Sequence, residues 1–135
     1  MMQAMTARVG IDLTSVSGVR DAVAAHGERY LNRVFTAQEQ QDCAGDPARL
    51  AGRFAAKEAA IKVLRPQQDT ALPWNDIEVL RAPEGHVELR LAGSAALRAQ
   101  NEGLAGFAVS LSHEGDTACA VVLAETAEGT GPTRR

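Results

Sequence analysis

The sequence contains little cysteine and few aromatic residues, and each shortage argues against certain classes of binding site. Two cysteines, Cys43 and Cys119, occur in 135 residues, and they form no CxxC pair. We therefore expect no zinc site and no disulfide framework, and we predict that both thiols are reduced and packed. Aromatic residues make up 4% of the chain. This is too few to supply the stacking surfaces on which single-stranded nucleic acids bind.

Excess positive charge and long apolar runs are also lacking. The formal net charge is −3, whereas non-specific nucleic-acid binding requires a concentrated basic surface. No run of about 18 apolar residues is present that could span a bilayer. The first residues also lack a basic stretch followed by an apolar core, the pattern of an export signal. We therefore expect a cytoplasmic protein that binds neither nucleic acid nor membrane.

The composition that remains is that of a globular protein. Hydrophobic residues make up 45% of the chain and charged residues 23%, and a length of 135 residues is typical of one domain. From about residue 126 the sequence loses its apolar periodicity. We predict a single domain over residues 1–125 and a disordered tail over residues 126–135.

Alternating polarity predicts a half-buried first strand, in which the aliphatic side chains of Val9, Ile11 and Leu13 share one face and Asp12 lies on the other. Short helices are predicted from Ser17 as a cap to residue 26, from residue 28 to 35, and from a capping box at residues 36–39 to about residue 45. Asp46 and Pro47 then suit the start of a long helix, and Pro66 blocks its continuation beyond Arg65.

The second half of the chain has the pattern of two hairpins. Residues 75–91 contain two apolar runs around a "PEG" turn, and residues 106–125 contain two around "EGD". A short helix is predicted between the two hairpins. The order of the elements predicts an α+β fold, with a mostly antiparallel sheet packed on the long central helix.

The long helix contains charges within apolar material, in the segment "RFAAKEAAIKVL". At about 100° per residue, an apolar stripe includes Lys57 and has Glu58 and Lys62 at its edge. Small residues occupy the opposite side, so we expect this helix to be enclosed on most sides. One interpretation is that Lys57 extends to water while Glu58 and Lys62 form an ordinary surface pair. The other is that Glu58 binds a metal ion and both lysines face a phosphate-bearing substrate.

Asp12 favours the second interpretation. A carboxylate at the end of a core strand, a second carboxylate on an enclosed helix and neighbouring lysines are the groups that a site for Mg²⁺ and a diphosphate requires.

The segment "SLSH" adds Ser110 and Ser112 on one face of a predicted strand and His113 where that strand meets a turn. One interpretation is that this exposed serine pair and the turn histidine have no functional role, since such a pattern is common at the surface of proteins. A Ser–His nucleophile pair fits less well, because no acid is evident that would orient the histidine. Binding of a phosphate or nucleotide suits these side chains better.

Together, these segments resemble the 4'-phosphopantetheinyl transferases, and in particular the short holo-acyl-carrier-protein synthase branch. The resemblance rests on five segments in the same order: "GIDLTSV", "HGERYLNRVFTAQE", "LAGRFAAKEAAIKVL", "WNDIEVL" and "VSLSHEGDTACAVV". It implies that 4'-phosphopantetheine is transferred from coenzyme A to a serine of an apo acyl carrier protein of the fatty-acid or polyketide type. The other product is adenosine 3',5'-bisphosphate.

The resemblance also implies roles for individual residues. Asp12 and Glu58 match the Mg²⁺ ligands of the family. The positions that surround the coenzyme A phosphates are matched by Arg53, Lys57, Lys62 and His113, with Ser110 and Ser112 nearby. Lys62 is expected to stabilise or protonate the leaving group. Glu58, or a water that it orients, is the leading candidate for the base that accepts the serine proton.

Family members of this length are homotrimers with active sites between subunits, so the resemblance implies a homotrimer.

One segment departs from the family: Gly85, His86 and Val87 stand where it often has Gly-Lys-Pro or Gly-Arg-Pro, and no role in binding is assigned to His86. The basic residues Arg20, Arg29 and Arg33 could dock an acidic carrier, or could belong to an ordinary mixed-charge surface.

Two alternatives to the transferase remain. The altered segment at His86 would suit a catalytically weak module that binds a carrier protein or coenzyme A without transfer. An unrelated Mg²⁺-dependent phosphate-ester enzyme could share the two carboxylates, but it leaves the ordered match of five segments unexplained.

Overall fold

A computed structural model describes residues 5–127 of the protein. Its elements follow in this order: β1 (Met5–Ser15), α1 (Val16–His26), α2 (Glu28–Val34), α3 (Ala37–Cys43), α4 (Pro47–Leu64), a 3-10 turn (Trp74–Asp76), β2 (Ile77–Arg81), β3 (Val87–Leu91), α5 (Gly93–Asn101), β4 (Leu104–Glu114) and β5 (Thr117–Ala127).

The strands form two antiparallel sheets. One sheet has the order β1-β5-β4, and the other is the β2–β3 hairpin. The predicted α+β fold and both predicted hairpins are therefore confirmed. Within residues 5–127, no helix has the length and apolar character required to cross a membrane.

Helix ends agree with the local sequence signals, with small shifts. The side chain of Thr36 accepts a hydrogen bond from the Glu39 backbone and the Glu39 side chain accepts one from the Thr36 backbone, which confirms the capping box of α3. Helix α4 ends at Leu64 because Arg65 adopts a left-handed conformation with φ of 49°. The prediction of Ser17 as the cap of α1 was wrong, since the side chain of Ser15 accepts the bond from the Gly18 backbone at 3.0 Å.

The end of the chain lies mostly outside the described residues. Strand β5 continues to Ala127 and pairs with β1 along its whole length, so the first two residues of the predicted tail belong to a strand. Residues 128–135 lie outside the described range. A single domain over residues 1–125 stays a prediction.

Strand β1 packs closely against α4, and this contact reverses the face that its sequence pattern suggested as buried. Gly10 is buried, and a Cβ atom built on it would lie 2.1 Å from the Ala59 carbonyl oxygen. The aliphatic side chains on the other face are exposed: Val9 by 61%, Ile11 by 55% and Leu13 by 66%. Alternation identified the two faces correctly, but the small residue rather than the large ones lies against the helix.

The exposed apolar side chains of β1 continue onto β5. Val9 is paired with Leu123, and Ile11 with Val121, and all four are exposed. We call Val9, Ile11, Leu13, Val121 and Leu123 the open sheet face.

We predict that Gly10→Ala lowers the free energy of unfolding by on the order of 3 kcal/mol or more, because the added methyl group overlaps a backbone carbonyl that cannot rotate away. Urea denaturation monitored by circular dichroism measures this. Gly18→Ala is the control, since its methyl group would meet Ser15 at 3.4 Å and should stabilise α1 by about 0.5–1 kcal/mol. An unchanged denaturation midpoint for Gly10→Ala would contradict the close contact.

Candidate active site

Two carboxylates from distant parts of the sequence line one cavity. Asp12 lies on β1 and Glu58 on α4, and both contribute to the wall of an open cavity of about 480 Å³. We call it the carboxylate cavity. The packing of β1 on α4 at Gly10 places these two side chains on facing elements, as the sequence predicted for a metal site.

The environment of Glu58 disfavours the charged form of its carboxylate. Burial raises the pKa of Glu58, the nearby charge of Asp12 raises it further, and Lys62 opposes both effects. A divalent cation between the two carboxylates would remove this repulsion, and carboxylate oxygens are ligands that Mg²⁺ prefers. No cluster of three or more His, Cys, Asp or Glu side chains suited to a metal is found within the described part of the chain. Water and substrate oxygens would therefore have to complete the coordination.

Lys62 belongs to the same site. Its ammonium group donates to the Ile11 carbonyl at 2.7 Å and to Asp12 Oδ1 at 3.2 Å. Among the described ion pairs Lys62 is joined to Asp12 and not to Glu58, so the simple surface pair along the helix was the wrong interpretation. The side chain is 54% exposed and can reach a ligand in front of Asp12.

A second cavity, also of about 480 Å³, has a cationic wall. It is lined by Ala48, Arg49, Gly52, Arg53, Arg81, Gly85, His86, Val87, Val109, Ser110, Leu111, Ser112 and His113. We call it the cationic cavity. It brings together the predicted residues Arg53, Ser110, Ser112 and His113, and its lining residues include no carboxylate.

Arg53 is the most informative residue of the cationic cavity. It is 4% exposed, and its Nε and Nη2 atoms have no hydrogen-bond partner among the described residues. Leaving buried guanidinium groups unbonded is unfavourable, so an anion in the cavity would stabilise this side chain. The arrangement fits a phosphate group.

Sequence reasoning missed three further residues of the cationic cavity: Arg49, Arg81 and His86. Arg49 lies one helical turn before Arg53, a spacing that could have identified it. His86 was set aside because its segment departs from the family, yet it forms part of the wall.

The prediction that Lys57 faces the substrate phosphates requires correction. Its side chain is 0% exposed, and the ammonium group is fully engaged inside the protein. It donates to the Trp74 carbonyl at 3.1 Å and the Ile77 carbonyl at 2.5 Å, and it pairs with Glu39 Oε1 at 2.8 Å. The alternative that Lys57 extends to water is wrong for the same reason.

Glu39, the partner of Lys57, was not recognised as part of this arrangement. The capping box explained its position fully, and nothing in the local sequence indicated a second role. Burial lowers the pKa of Lys57, while the adjacent charge of Glu39 acts in the opposite direction.

The two cavities are separate on one chain. Among residues 5–127, no residue lines both of them, although α4 contributes Arg53 to one and Glu58 to the other. The predicted site residues are thus brought together as two groups, with Lys57 in neither.

The basic residues Arg20, Arg29 and Arg33 of the first helices line neither the carboxylate cavity nor the cationic cavity. Arg29 and Arg33 line a smaller cavity of about 250 Å³ with His26 and Tyr30, and Arg20 is exposed on α1.

Comparison with known proteins gives the family. A sequence model of the 4'-phosphopantetheinyl transferase superfamily matches residues 8–122. The chain belongs to this superfamily. Among its curated relatives, the holo-[acyl-carrier-protein] synthase of Desulforudis audaxviator is 41% identical over 119 residues, which cover 86% of this chain and 90% of that protein.

Solved structures of the superfamily have the same fold. The ACPS-CoA complex of Chronobacterium ammoniagenes has a TM-score of 0.79 and 32% identity, over 92% of this chain and 98% of that one. The Helicobacter pylori holo-[acyl-carrier-protein] synthase in complex with coenzyme A has a TM-score of 0.75 and 25% identity, over 90% of this chain and 100% of that one. The predicted 4'-phosphopantetheinyl transferase fold is therefore confirmed.

We predict that Glu58→Gln raises the melting temperature in metal-free buffer at neutral pH. The pKa of Glu58 is raised on folding, so its contribution to stability is complete below the unfolded-state pKa and is lost as the pH rises through the higher folded-state pKa. The charged carboxylate therefore destabilises the fold at neutral pH, and glutamine removes this effect. Thermal unfolding at pH 4 and pH 7.5 measures it.

The same experiment tests the metal site. Added Mg²⁺ should raise the melting temperature of the unmodified protein and leave that of Glu58→Gln nearly unchanged. The control is Asp69→Asn, a change on an exposed loop, which should respond to Mg²⁺ as the unmodified protein does. Equal responses of all three proteins would contradict metal binding at Glu58.

Proposed function

We propose that the protein is a holo-acyl-carrier-protein synthase that transfers 4'-phosphopantetheine from coenzyme A to a serine of an apo acyl carrier protein. The observation that carries this proposal is that Asp12 and Glu58 line one cavity and that Lys62 is paired with Asp12. The chain belongs to the 4'-phosphopantetheinyl transferase superfamily, and its curated relatives are named holo-[acyl-carrier-protein] synthases. The carrier would belong to fatty-acid or polyketide synthesis.

The reaction breaks the phosphoanhydride bond of coenzyme A and forms a phosphoester bond to the carrier serine. The serine oxygen of the carrier forms a bond to the β-phosphorus of coenzyme A, and the bond from that phosphorus to the bridging oxygen breaks. Adenosine 3',5'-bisphosphate leaves, and the serine proton passes to a base. Glu58, or a water that it orients, is proposed as that base, because its carboxylate lines the cavity that would hold the diphosphate.

Asp12 and Glu58 would hold Mg²⁺. Both side chains offer carboxylate oxygens, and a cation between them would relieve the repulsion of their negative charges. When bound, the ion would neutralise charge on the diphosphate. Lys62 is held beside Asp12 by its bond to the Ile11 carbonyl, so it can stabilise or protonate the departing oxygen.

The cationic cavity is proposed to bind the nucleotide part of coenzyme A. Arg53 offers unbonded guanidinium atoms, and Ser110, Ser112 and His113 offer polar groups on the same wall. Phosphate groups of the nucleotide would supply the missing partners of Arg53.

A homotrimer with active sites between subunits would unite the two cavities. In the order β1-β5-β4, Asp12 lies on one outer strand and Ser110 and Ser112 on the opposite outer strand. The open sheet face lies across β1 and β5, and an exposed apolar surface of this kind is typical of an interface. If the β1 side of one subunit met the β4 side of the next, the contact would be head-to-tail and could close into a ring.

The proposed reaction requires a surface on which the carrier protein docks. Arg20, Arg29 and Arg33 are exposed and could attract an acidic carrier, although Asp21 and Glu28 lie among them. A cytoplasmic location stays a prediction of the sequence.

We predict that Asp12→Asn and Glu58→Gln each reduce transfer by about 100-fold or more, because each removes a charge that the transition state requires. Intact-mass analysis of an apo carrier incubated with coenzyme A and Mg²⁺ measures the added pantetheine arm. Asp69→Asn should transfer at the normal rate. If the unmodified protein modified none of several carriers, a binding module without transfer would be the better description.

Complementation between two inactive variants tests whether neighbouring subunits share one active site. Arg53→Ala damages the cationic cavity and Glu58→Gln the carboxylate cavity, so each variant alone should be nearly inactive. When the two are co-expressed with different tags and purified through both, each mixed trimer would have one interface in three that joins two intact cavities. Activity should therefore return well above that of either variant. Activity no higher than the sum of the two variants would show that each chain has a complete site of its own.

A further inference from the structure

Along the outer edge of β2, side chains and not a neighbouring strand supply the hydrogen-bond partners of the backbone. Asp76 and Ala92 share a backbone hydrogen bond, as do Ala82 and His86. In an antiparallel pair such bonds alternate along the strand, so the backbone groups of Ile77 and Val79 point away from β3. The Lys57 ammonium group donates to the Ile77 carbonyl at 2.5 Å, and Glu39 Oε2 accepts from the Val79 backbone at 2.7 Å.

The buried ion pair therefore supplies the donor and the acceptor that a third strand would have supplied. A two-stranded hairpin alone is marginally stable. Here, Glu39 joins the hairpin to α3 and Lys57 joins it to α4, and both side chains are 0% exposed. The other contacts of Glu39, with the Thr36 backbone and with Lys57, use its second oxygen, so the carboxylate has partners on three elements.

The opposite end of this hairpin forms one wall of the cationic cavity. Arg81, Gly85, His86 and Val87 line the cavity from the hairpin, and Arg49 and Arg53 line it from α4. The distance between these two walls depends on how the hairpin is held against α4. We propose that Glu39 and Lys57 are positioning residues that hold the hairpin wall of the coenzyme A cavity in place, an inference that rests on the function proposed above.

Lys57 stands next to Glu58 in the sequence but serves a different purpose. Its three donor positions are occupied by Glu39 and two carbonyl groups, so a phosphate could bind it only by displacing them. The carboxylate cavity is formed by other contacts, between β1 and α4. Loss of the ion pair should therefore impair binding of the nucleotide and leave the chemical step intact.

The test is the double variant Lys57→Met/Glu39→Gln. It removes both buried charges together, which is often tolerated, and it removes the bond to the Ile77 carbonyl. We expect a folded protein whose KM for coenzyme A rises roughly 10- to 100-fold, the usual effect of losing a positioning contact. Its kcat at saturating coenzyme A should stay close to that of the unmodified protein. The dissociation constant of adenosine 3',5'-bisphosphate, measured by calorimetry, should rise with the KM.

Glu39→Asp provides the same measurement in a chain that keeps both charges. It shortens the reach to the Val79 backbone without leaving Lys57 unpaired, so it should raise KM by a smaller factor at unchanged kcat. If the double variant did not fold, Glu39→Asp would test the positioning role by itself.

Arg98→Met is the matched control for general destabilisation. Arg98 also donates to two carbonyl groups, those of Leu64 and Arg65, but at the end of α4 away from the cavity. Its replacement should lower the melting temperature and leave KM unchanged.

Two results would overturn the proposal. A kcat lower by about 100-fold with an unchanged KM would show that Lys57 acts on the transition state. An unchanged KM and kcat in folded variants would show that the hairpin needs no such support. Bisphosphate binding is measured without a carrier, so it tests the positioning role even if the unmodified protein fails to transfer.

Discussion

The close contact between β1 and α4 is the constraint on which the rest of this structure depends. A glycine at position 10 lets the strand approach the Ala59 carbonyl at a distance that excludes any side chain. Asp12 follows two residues later on the same face, and Glu58 precedes Ala59 on the helix. The approach of two backbones therefore places two acidic side chains at one cavity, and Lys62 binds β1 from the next turn of the same helix.

The charged residues of α4 show how one enclosed helix can serve separate purposes. Each buried charge needs a partner, because desolvation is otherwise unfavourable. Lys57 obtains its partners inside the protein, whereas the exposed Lys62 is paired with Asp12 on β1. Arg53 keeps two nitrogen atoms without a partner, so it is the cation best suited to an external anion. Residue type and helical position did not distinguish these roles, and the neighbouring elements did.

Local signals predicted most elements of the fold correctly. Caps, prolines and alternating polarity depend on residues a few positions apart, so the helices, both hairpins and the opposed faces of β1 followed from the sequence. Asp12, Glu58 and Lys62 were predicted together and lie together. Lys57 was assigned wrongly because its partner is 18 positions away, and the role of Glu39 in the capping box concealed its contact with Lys57.

The sequence by itself determined the order of the elements, the small-residue face of α4 and the types of charged group available, because these depend on composition and on spacing along the chain. The tertiary structure alone decided which face of β1 lies against the helix and which cations remain open to a ligand. It also decided that the site residues form two separate cavities. These outcomes depend on contacts between residues far apart in the chain, since a charge or an apolar side chain acquires its role from whatever the fold brings next to it.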